Sequence, residues 1–328
     1  MKPAVVLWCL LFGTHVARAA TVTEVHYVMG TYFRIIAEHG DEPAARAALR
    51  RCFGATRDLE ERFSRFDPNS ELSRLNATVS DGTAVVVSDD MAELLRRAVA
   101  LRAATEDAFD VSIGALTQLW RDASAWPPAA QVAAARRESG PEALTLDGSR
   151  VARRPGVQID LDGIAKGWAV DRCATELRRD GIAAALLSFG ESSLYALGAP
   201  AGTRGWSVIV RGLDPDATVG ALRLRDEAVS VSAVFGHSRY IGGRPVGHIV
   251  DPRSGEPLRF PGMALVVSTS ATDAEAFSKA LLIRGRAGFR GDMLRGALLV
   301  RPQGIQRFGR LAFTAAAQSI AATAEPLR

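Results

Sequence analysis

Stretches with helical period and stretches with strand period follow one another along this chain in an irregular order. That order limits the fold more than any other feature. Residues 22–36 alternate and are rich in β-branched and aromatic side chains, the pattern of a strand or hairpin, with Met29-Gly30-Thr31 inside it. Residues 42–63 carry Ala45, Leu49, Phe53 and Leu59 at helical spacing, and residues 90–105 form a second amphipathic helix with Asp89 or Asp90 as its cap. Asp67-Pro68-Asn69 reads as a turn, 124–140 as a proline-containing connection with a short helix, and 143–151 as a hairpin. A helix over 166–180 leads into a buried strand at 183–189. Short strands then fill 206–232, a strand covers 263–268, and a helix runs from about 272 to 283. A doubly wound parallel sheet needs a steady strand–helix–strand rhythm, and none is present. The expectation is an α+β fold of mixed sheets and packed helices, in one domain over 21–328, since no repeat or low-complexity linker divides it.

Composition removes several classes. With 48% hydrophobic and 23% charged residues, the chain can bury a large core, so neither disorder nor a disulfide-stapled miniprotein fits. A net charge of +4 without a basic block or interleaved aromatics gives no nucleic-acid groove. Met1-Lys2, an apolar stretch over 4–12 and Ala17-Arg18-Ala19 form an export signal over 1–20, the alternative being a buried N-terminal helix. The expected location is periplasmic or otherwise exported. Trp8 stands where lipoprotein processing needs a small residue, which argues against a lipid anchor on Cys9. Beyond the signal no apolar run is long enough to span a bilayer. Cys52 and Cys173 remain, either paired in an oxidising compartment or as inert core thiols. Lysine occurs only at Lys2, Lys166 and Lys279 among 40 basic residues, so each retained lysine raises the question of what an ammonium does there.

Two segments concentrate chemistry. In residues 159–167 a strand ends in Asp160 and Asp162, and a glycine turn leads into a helix that opens with Lys166. Free N–H groups at a helix start attract anions and a nearby ammonium adds to the pull, so this is either a phosphate site or a plain capped turn. It is neither a Walker loop nor a dinucleotide glycine turn. In residues 247–255, His248 precedes Asp251 by three positions at a proline-restricted turn. His248 is a candidate general base, with Asp251 orienting it or shaping the loop; the alternative is a structural or solvated histidine. His26, His39 and His237 are read as structural. Zinc-ligand spacing and the Gly-x-Ser-x-Gly elbow are absent.

Met29-Gly30-Thr31, Phe63-Ser64-Arg65-Phe66, the stretch Ser70 to Asn76, Phe109-Asp110, Gly114, Leu116 and Trp120 then line up with both segments. Asp171, Gly190 and the run from Ala274 to Gly285 continue the series. In this order the motifs resemble one family, the FAD:protein FMN transferases of the ApbE type, over nearly all of the chain after the signal. The resemblance implies an α+β, T-fold-related domain that binds FAD and splits its pyrophosphate. FMN passes through a phosphoester to a threonine or serine hydroxyl of an acceptor protein, often a subunit of a membrane redox complex, and AMP is released. Acceptors carry an Asp-x-x-Ser/Thr-Gly-Ala-Thr-like stretch, which this chain lacks. The implied FAD contacts are Met29, Gly30, Thr31, Phe66, Glu71, Asp110, Asp160, Lys166, Gly190 and His248, with His248 and Asp251 catalytic. Phe66 replaces a common tyrosine and keeps the stacking face.

The chain also departs from the family. Gly190-Glu191-Ser192 replaces the usual Gly-Gly-Asp. At the two magnesium positions on the last helix, where the family has aspartate and threonine, stand Glu275 and Lys279. An ammonium has no electron pair for magnesium. Either the two form an ordinary surface ion pair, or Lys279, held by Glu275, replaces the ion. Alternatives to transfer are an FAD-binding protein that has lost the activity, and an FAD pyrophosphatase.

Overall fold

A two-residue turn at Met29-Gly30, both with positive φ, closes the first hairpin of the computed structural model, as the right-handed twist of paired strands favours. The structure describes residues 20–78, 82–214, 216–236, 238–286, 288, 294–316 and 322–325. The segment read from the sequence as an export signal, apart from Ala20, and His237 lie outside them. The hairpin strands Ala20–Val28 and Thr31–His39 start a nine-stranded sheet. It continues in space through Ala184–Phe189, Ser193–Leu197, Glu227–Ala233, Met263–Ser268, Leu294–Arg301, Gly304–Gly309 and Ala322–Glu325. Every neighbouring pair is antiparallel except the last, which is parallel.

Among the described residues seven helices accompany the strands: α1 (Glu42–Phe63), α2 (Glu71–Ala77), α3 (Asp89–Ala104), α4 (Gly114–Asp122), α5 (Ala129–Arg137), α6 (Ala165–Arg179) and α7 (Ala271–Arg284). Helix α1 begins where Asp41 accepts the N–H of Ala44, with Pro43 in the first turn. Helix α3 is capped by Ser88, not by Asp89 or Asp90: the Ser88 hydroxyl accepts the N–H of Met91, and both aspartates sit inside the helix. No helix among the described residues is long and apolar enough to cross a membrane.

The large sheet is buried on both faces. Ala264 and Val266 face α1, α6 and α7 together with Phe33, Phe189 and Phe277. Met263, Leu265 and Val267 of the same strand face a three-stranded sheet made of Trp206–Arg211, Thr218–Leu224 and Phe313–Ala315. That explains why 263–267 is an unbroken apolar run. The architecture is α+β, as the element order predicts.

Cys52 of α1 and Cys173 of α6, 121 positions apart in sequence, form a disulfide with Cα atoms 5.0 Å apart. The thiol alternative is thereby excluded. The two helices already pack against each other, so the bond joins chain segments that the fold brings together. Gly167 lets α6 approach α7 closely, because a Cβ there would stand 2.6 Å from the Ala271 carbonyl oxygen.

Candidate active site

The acidic turn before α6 is held from three sides. Asn76 pins Ile159 by accepting its N–H at 2.9 Å and donating to its carbonyl at 2.8 Å. The N–H of Asp160 reaches the Val111 carbonyl at 2.8 Å. Asp160 Oδ2 accepts from Arg65 Nη1 at 3.0 Å and from Thr117 Oγ1 at 2.6 Å, while Oδ1 takes the N–H of Asp162 at 2.9 Å. Arg65 Nε also lies 2.9 Å from Asp162 Oδ2. Desolvation and the charge of Asp160 push the Asp162 carboxyl up to about 6, against the opposing pull of Arg65 and Lys166.

Helix α6 starts just beyond this turn. Its cap residue, Ile164, gives no side-chain hydrogen bond; the Leu161 carbonyl takes the Ala165 N–H at 2.9 Å, and the Lys166 and Gly167 N–H groups have no partner among the described residues. Lys166 in the first turn makes no hydrogen bond or ion pair to any described residue, although it acts electrostatically on Asp162 and Lys279. An ammonium left this way beside a helix start has the charge and donors that suit an anion.

Helix α7 forms the opposite wall. The Lys279 stem runs along the glycine turn, its Cε 3.4 Å from where a Gly163 Cβ would stand. Its Nζ donates to the Glu275 backbone carbonyl at 3.2 Å. Burial pushes the Lys279 ammonium down to about 8, with Glu275 opposing and Lys166 adding to the shift. Glu275 is only 2% exposed; Oε1 accepts from Ser193 Oγ, and Oε2 is buried without a partner among the described residues. This corrects the surface-pair alternative, because the helix face that carries the two residues packs into the protein. Their side chains are not joined in an ion pair.

Ser193 leads to the motifs that the resemblance puts beside the flavin. Gly190, at φ 60°, donates its N–H to the Tyr32 carbonyl at 2.9 Å and faces Thr31, whose Cγ2 would lie 2.9 Å from a Cβ at residue 190. Any side chain there would have to displace Thr31. Met29 is fixed by its N–H, which donates to Glu60 at 2.6 Å. Phe66 is 75% exposed, with the Arg65 guanidinium 4.7 Å and that of Arg121 6.0 Å from its ring centre. An open cleft of about 1150 Å³ is lined by Arg65, Phe66, Gln118, Arg121, Trp126 and Asp160. Met29, Lys166 and Lys279 stand outside that lining.

The His248 loop is built separately. Gly247 donates to the Leu258 carbonyl at 3.0 Å, Trp120 Nε1 to the Gly255 carbonyl at 2.7 Å, and Arg136 to the Arg253 carbonyl at 2.8 Å. Asp251 accepts from the Arg253 N–H at 2.9 Å and from its guanidinium at 3.0 and 2.9 Å. Of the two roles open to Asp251, these contacts support shaping the loop. His248 is exposed on it.

Two implied FAD contacts, Glu71 and Asp110, have protein partners. Both oxygens of Glu71 are taken by Ser88, one by its N–H and the other by its hydroxyl, so Glu71 ties α2 to the start of α3. Asp110 accepts the N–H and hydroxyl of Ser112 at 2.8 and 2.6 Å and lies 3.1 Å from Arg102 Nε. Burial pushes its carboxyl up, against those partners. Sequence reasoning assigns no role to Arg65, Thr117 or Ser193. Their partners stand 95, 43 and 82 positions away, beyond any spacing rule.

The metal implied by the resemblance does not fit the residues present. Magnesium takes six oxygens in near-ideal octahedral geometry. Helix α7 offers one free carboxylate oxygen, beside an ammonium that repels the ion and has only hydrogens to give. Among the described residues no group of three or more His, Cys, Asp or Glu is placed to hold a metal.

Known proteins share both the sequence pattern and this fold. A Rhodobacter capsulatus protein named FAD:protein FMN transferase is 32% identical over 279 residues, covering 82% of this chain and 52% of its own. The chain thus spans about half the length of that relative. A Klebsiella pneumoniae protein of the same name is 26% identical over 283 residues, covering 82% of this chain and 80% of its own. Among solved structures, the flavin transferase ApbE from Vibrio cholerae superposes with a TM-score of 0.75 at 22% identity, over 90% of this chain and 97% of that one. The ApbE protein of Thermotoga maritima gives 0.76 at 23%, over 91% and 97%. At such identities the two structures establish the shared fold. The ApbE family profile matches residues 29–291, from the hairpin turn to beyond α7, and the chain belongs to the ApbE family.

Proposed function

We propose that this chain is an exported FAD:protein FMN transferase. FAD lies with its flavin near Met29 and Phe66 and its pyrophosphate at the start of α6. The acceptor's threonine or serine oxygen attacks the FMN phosphorus, a new P–O bond forms, and the bond to the AMP phosphate oxygen breaks. His248 takes the hydroxyl proton, and AMP leaves with the electron pair. Lys166 and the open N–H groups of α6 neutralise charge that builds on the phosphate oxygens.

The observation that carries this reading is Lys166, an ammonium without a partner among the described residues, at a helix start left open by its cap. Export is supported by the N-terminal signal pattern and by the Cys52–Cys173 disulfide, a bond that persists in oxidising compartments. The acceptor is expected to be an exported or membrane-bound redox subunit with the short Asp-x-x-Ser/Thr-Gly-Ala-Thr-like stretch.

Mass spectrometry tests the reaction after mixing the protein with FAD and a peptide bearing that stretch. An FMN adduct on the peptide is expected. Free FMN and AMP without an adduct would mean a pyrophosphatase, and unchanged FAD a binding protein. His248→Ala should slow adduct formation strongly while FAD affinity stays, since a base acts in the transition state. Unaltered turnover would return His248 to a structural role.

A further inference from the structure

Glu275 and Lys279 pose a problem that the family's magnesium chemistry does not solve. Glu275 Oε2 is a buried carboxylate oxygen without a partner among the described residues, and such an oxygen needs a cation or a donor nearby. The nearest positive charge on the same helix is Lys279, whose attraction to Glu275 favours the charged ammonium. The turn between them is held firmly. Ser278 Oγ donates to the Glu275 carbonyl at 3.1 Å and lies 3.1 and 2.8 Å from the hydroxyls of Ser230 and Ser232 in the neighbouring strand. The carbonyl that receives Lys279 Nζ is therefore fixed in place.

We propose that the Lys279 ammonium, balanced by Glu275 and lying against Gly163, is a built-in countercharge for a pyrophosphate ester and stands where a divalent ion would otherwise bind. The proposal rests on the FAD reading of the site. Lys279 gives one N–H to the Glu275 carbonyl and keeps two more for a ligand. Lys166 repels Lys279 across the glycine turn, and an anion between the two ammoniums relieves that repulsion. A diphosphate matches a pair of like charges next to open helix N–H groups better than a single carboxylate does. The arrangement binds its anion without magnesium.

The experiment measures FAD and, in parallel, inorganic pyrophosphate binding to the full chain by calorimetry, in EDTA and in excess magnesium. Mn²⁺ binding is followed by electron paramagnetic resonance without ligand. The wild type is expected to bind FAD equally well in both conditions, within about twofold, and to leave the Mn²⁺ signal unchanged. Lys279→Thr is expected to lose about tenfold or more in EDTA and to recover in magnesium. Lys279→Met should stay weak in both. Should the variants fail to fold, the wild-type measurements still decide. A wild type that loses FAD about tenfold in EDTA, or takes up one Mn²⁺ that Glu275→Gln abolishes, overturns the proposal. Failure of the flavin reading looks different: FAD then binds in neither condition while pyrophosphate still binds in EDTA. If pyrophosphate also fails, the countercharge falls with it.

Discussion

Helices α6 and α7 pack against each other, yet their starting ends are finished in opposite ways. At α7, the Ser270 hydroxyl accepts the N–H of Asp273 at 3.2 Å. Asp171, reaching over from α6, accepts the Ala271 and Thr272 N–H groups at 2.7 and 2.9 Å and the Ser270 and Thr272 hydroxyls at 2.7 and 2.6 Å. Arg97 of α3 adds a two-pronged pair to Asp273. At α6 the cap is Ile164, with no side-chain bond, and Lys166 has no partner among the described residues. One helix end is closed by side chains, while at the other the Leu161 carbonyl takes the Ala165 N–H and the Lys166 and Gly167 N–H groups have no partner among the described residues. If the proposed function holds, the closed end serves stability and the cationic end serves binding, so substitutions at the two should separate cleanly.

The largest effect is expected at the closed end. Asp171→Ala leaves four donors without their acceptor. The loss should cost about 2–4 kcal/mol, read as a lower midpoint in urea unfolding. A change below about 0.5 kcal/mol would show that water replaces the carboxylate and that the contrast is one of appearance. At the open end Lys166→Ala should move the urea midpoint far less, because no hydrogen bond or ion pair to a described residue is lost and the charge both attracts Asp162 and repels Lys279. FAD affinity should fall about ten- to a hundredfold, less steeply at high salt. Lost stability with unchanged affinity would reverse the assignment of the two ends.

The same contrast explains what the sequence discloses. The hairpin, α1 and the strand at 263–268 are legible because each rests on a local pattern: alternation, apolar residues at helical spacing, a short apolar run over 263–267. Lys166 and the acidic turn are legible because a strand, glycine and helix start follow one another within residues 159–167. The structural ties of Glu71 and Asp110 are not legible, because a motif records a residue type and not its partner; Ser88 and Ser112 reach those carboxylates in the fold. Ser88 is equally hidden as the α3 cap, since two aspartates beside it offer the same chemistry. Arg65, Thr117 and Ser193 act through partners that only the folded chain brings near.

Glu71 offers a smaller test of that lesson. Glu71→Ala removes the anchor of the Ser88 cap and should lower stability by about 1 kcal/mol, with FAD affinity unchanged. A loss of affinity with stability intact would restore Glu71 to the ligand site that the resemblance implies.

The smallest expected effect concerns Asp162, at the edge of the open end. Its carboxyl titrates at about 6 in the fold, above the ordinary aspartate value. The fold therefore holds a proton that the unfolded chain has released, and stability falls as pH rises from the ordinary value through about 6. A bound diphosphate adds negative charge beside this carboxyl and favours its protonated form further, so FAD binding takes up a proton. Affinity should decline as pH rises from about 6 and level off once the bound form has also lost its proton. The side chain is 54% exposed, and Arg65 and Lys166 oppose Asp160 around it, so solvent and counter-charge hold the change to a few-fold. Dissociation constants for FAD across roughly pH 5–8 read the effect, and Asp162→Asn should flatten the profile and tighten binding at neutral pH. An Asn variant with the wild-type slope would place the titrating group elsewhere. The open end would then owe its anion affinity to Lys166 and the helix alone.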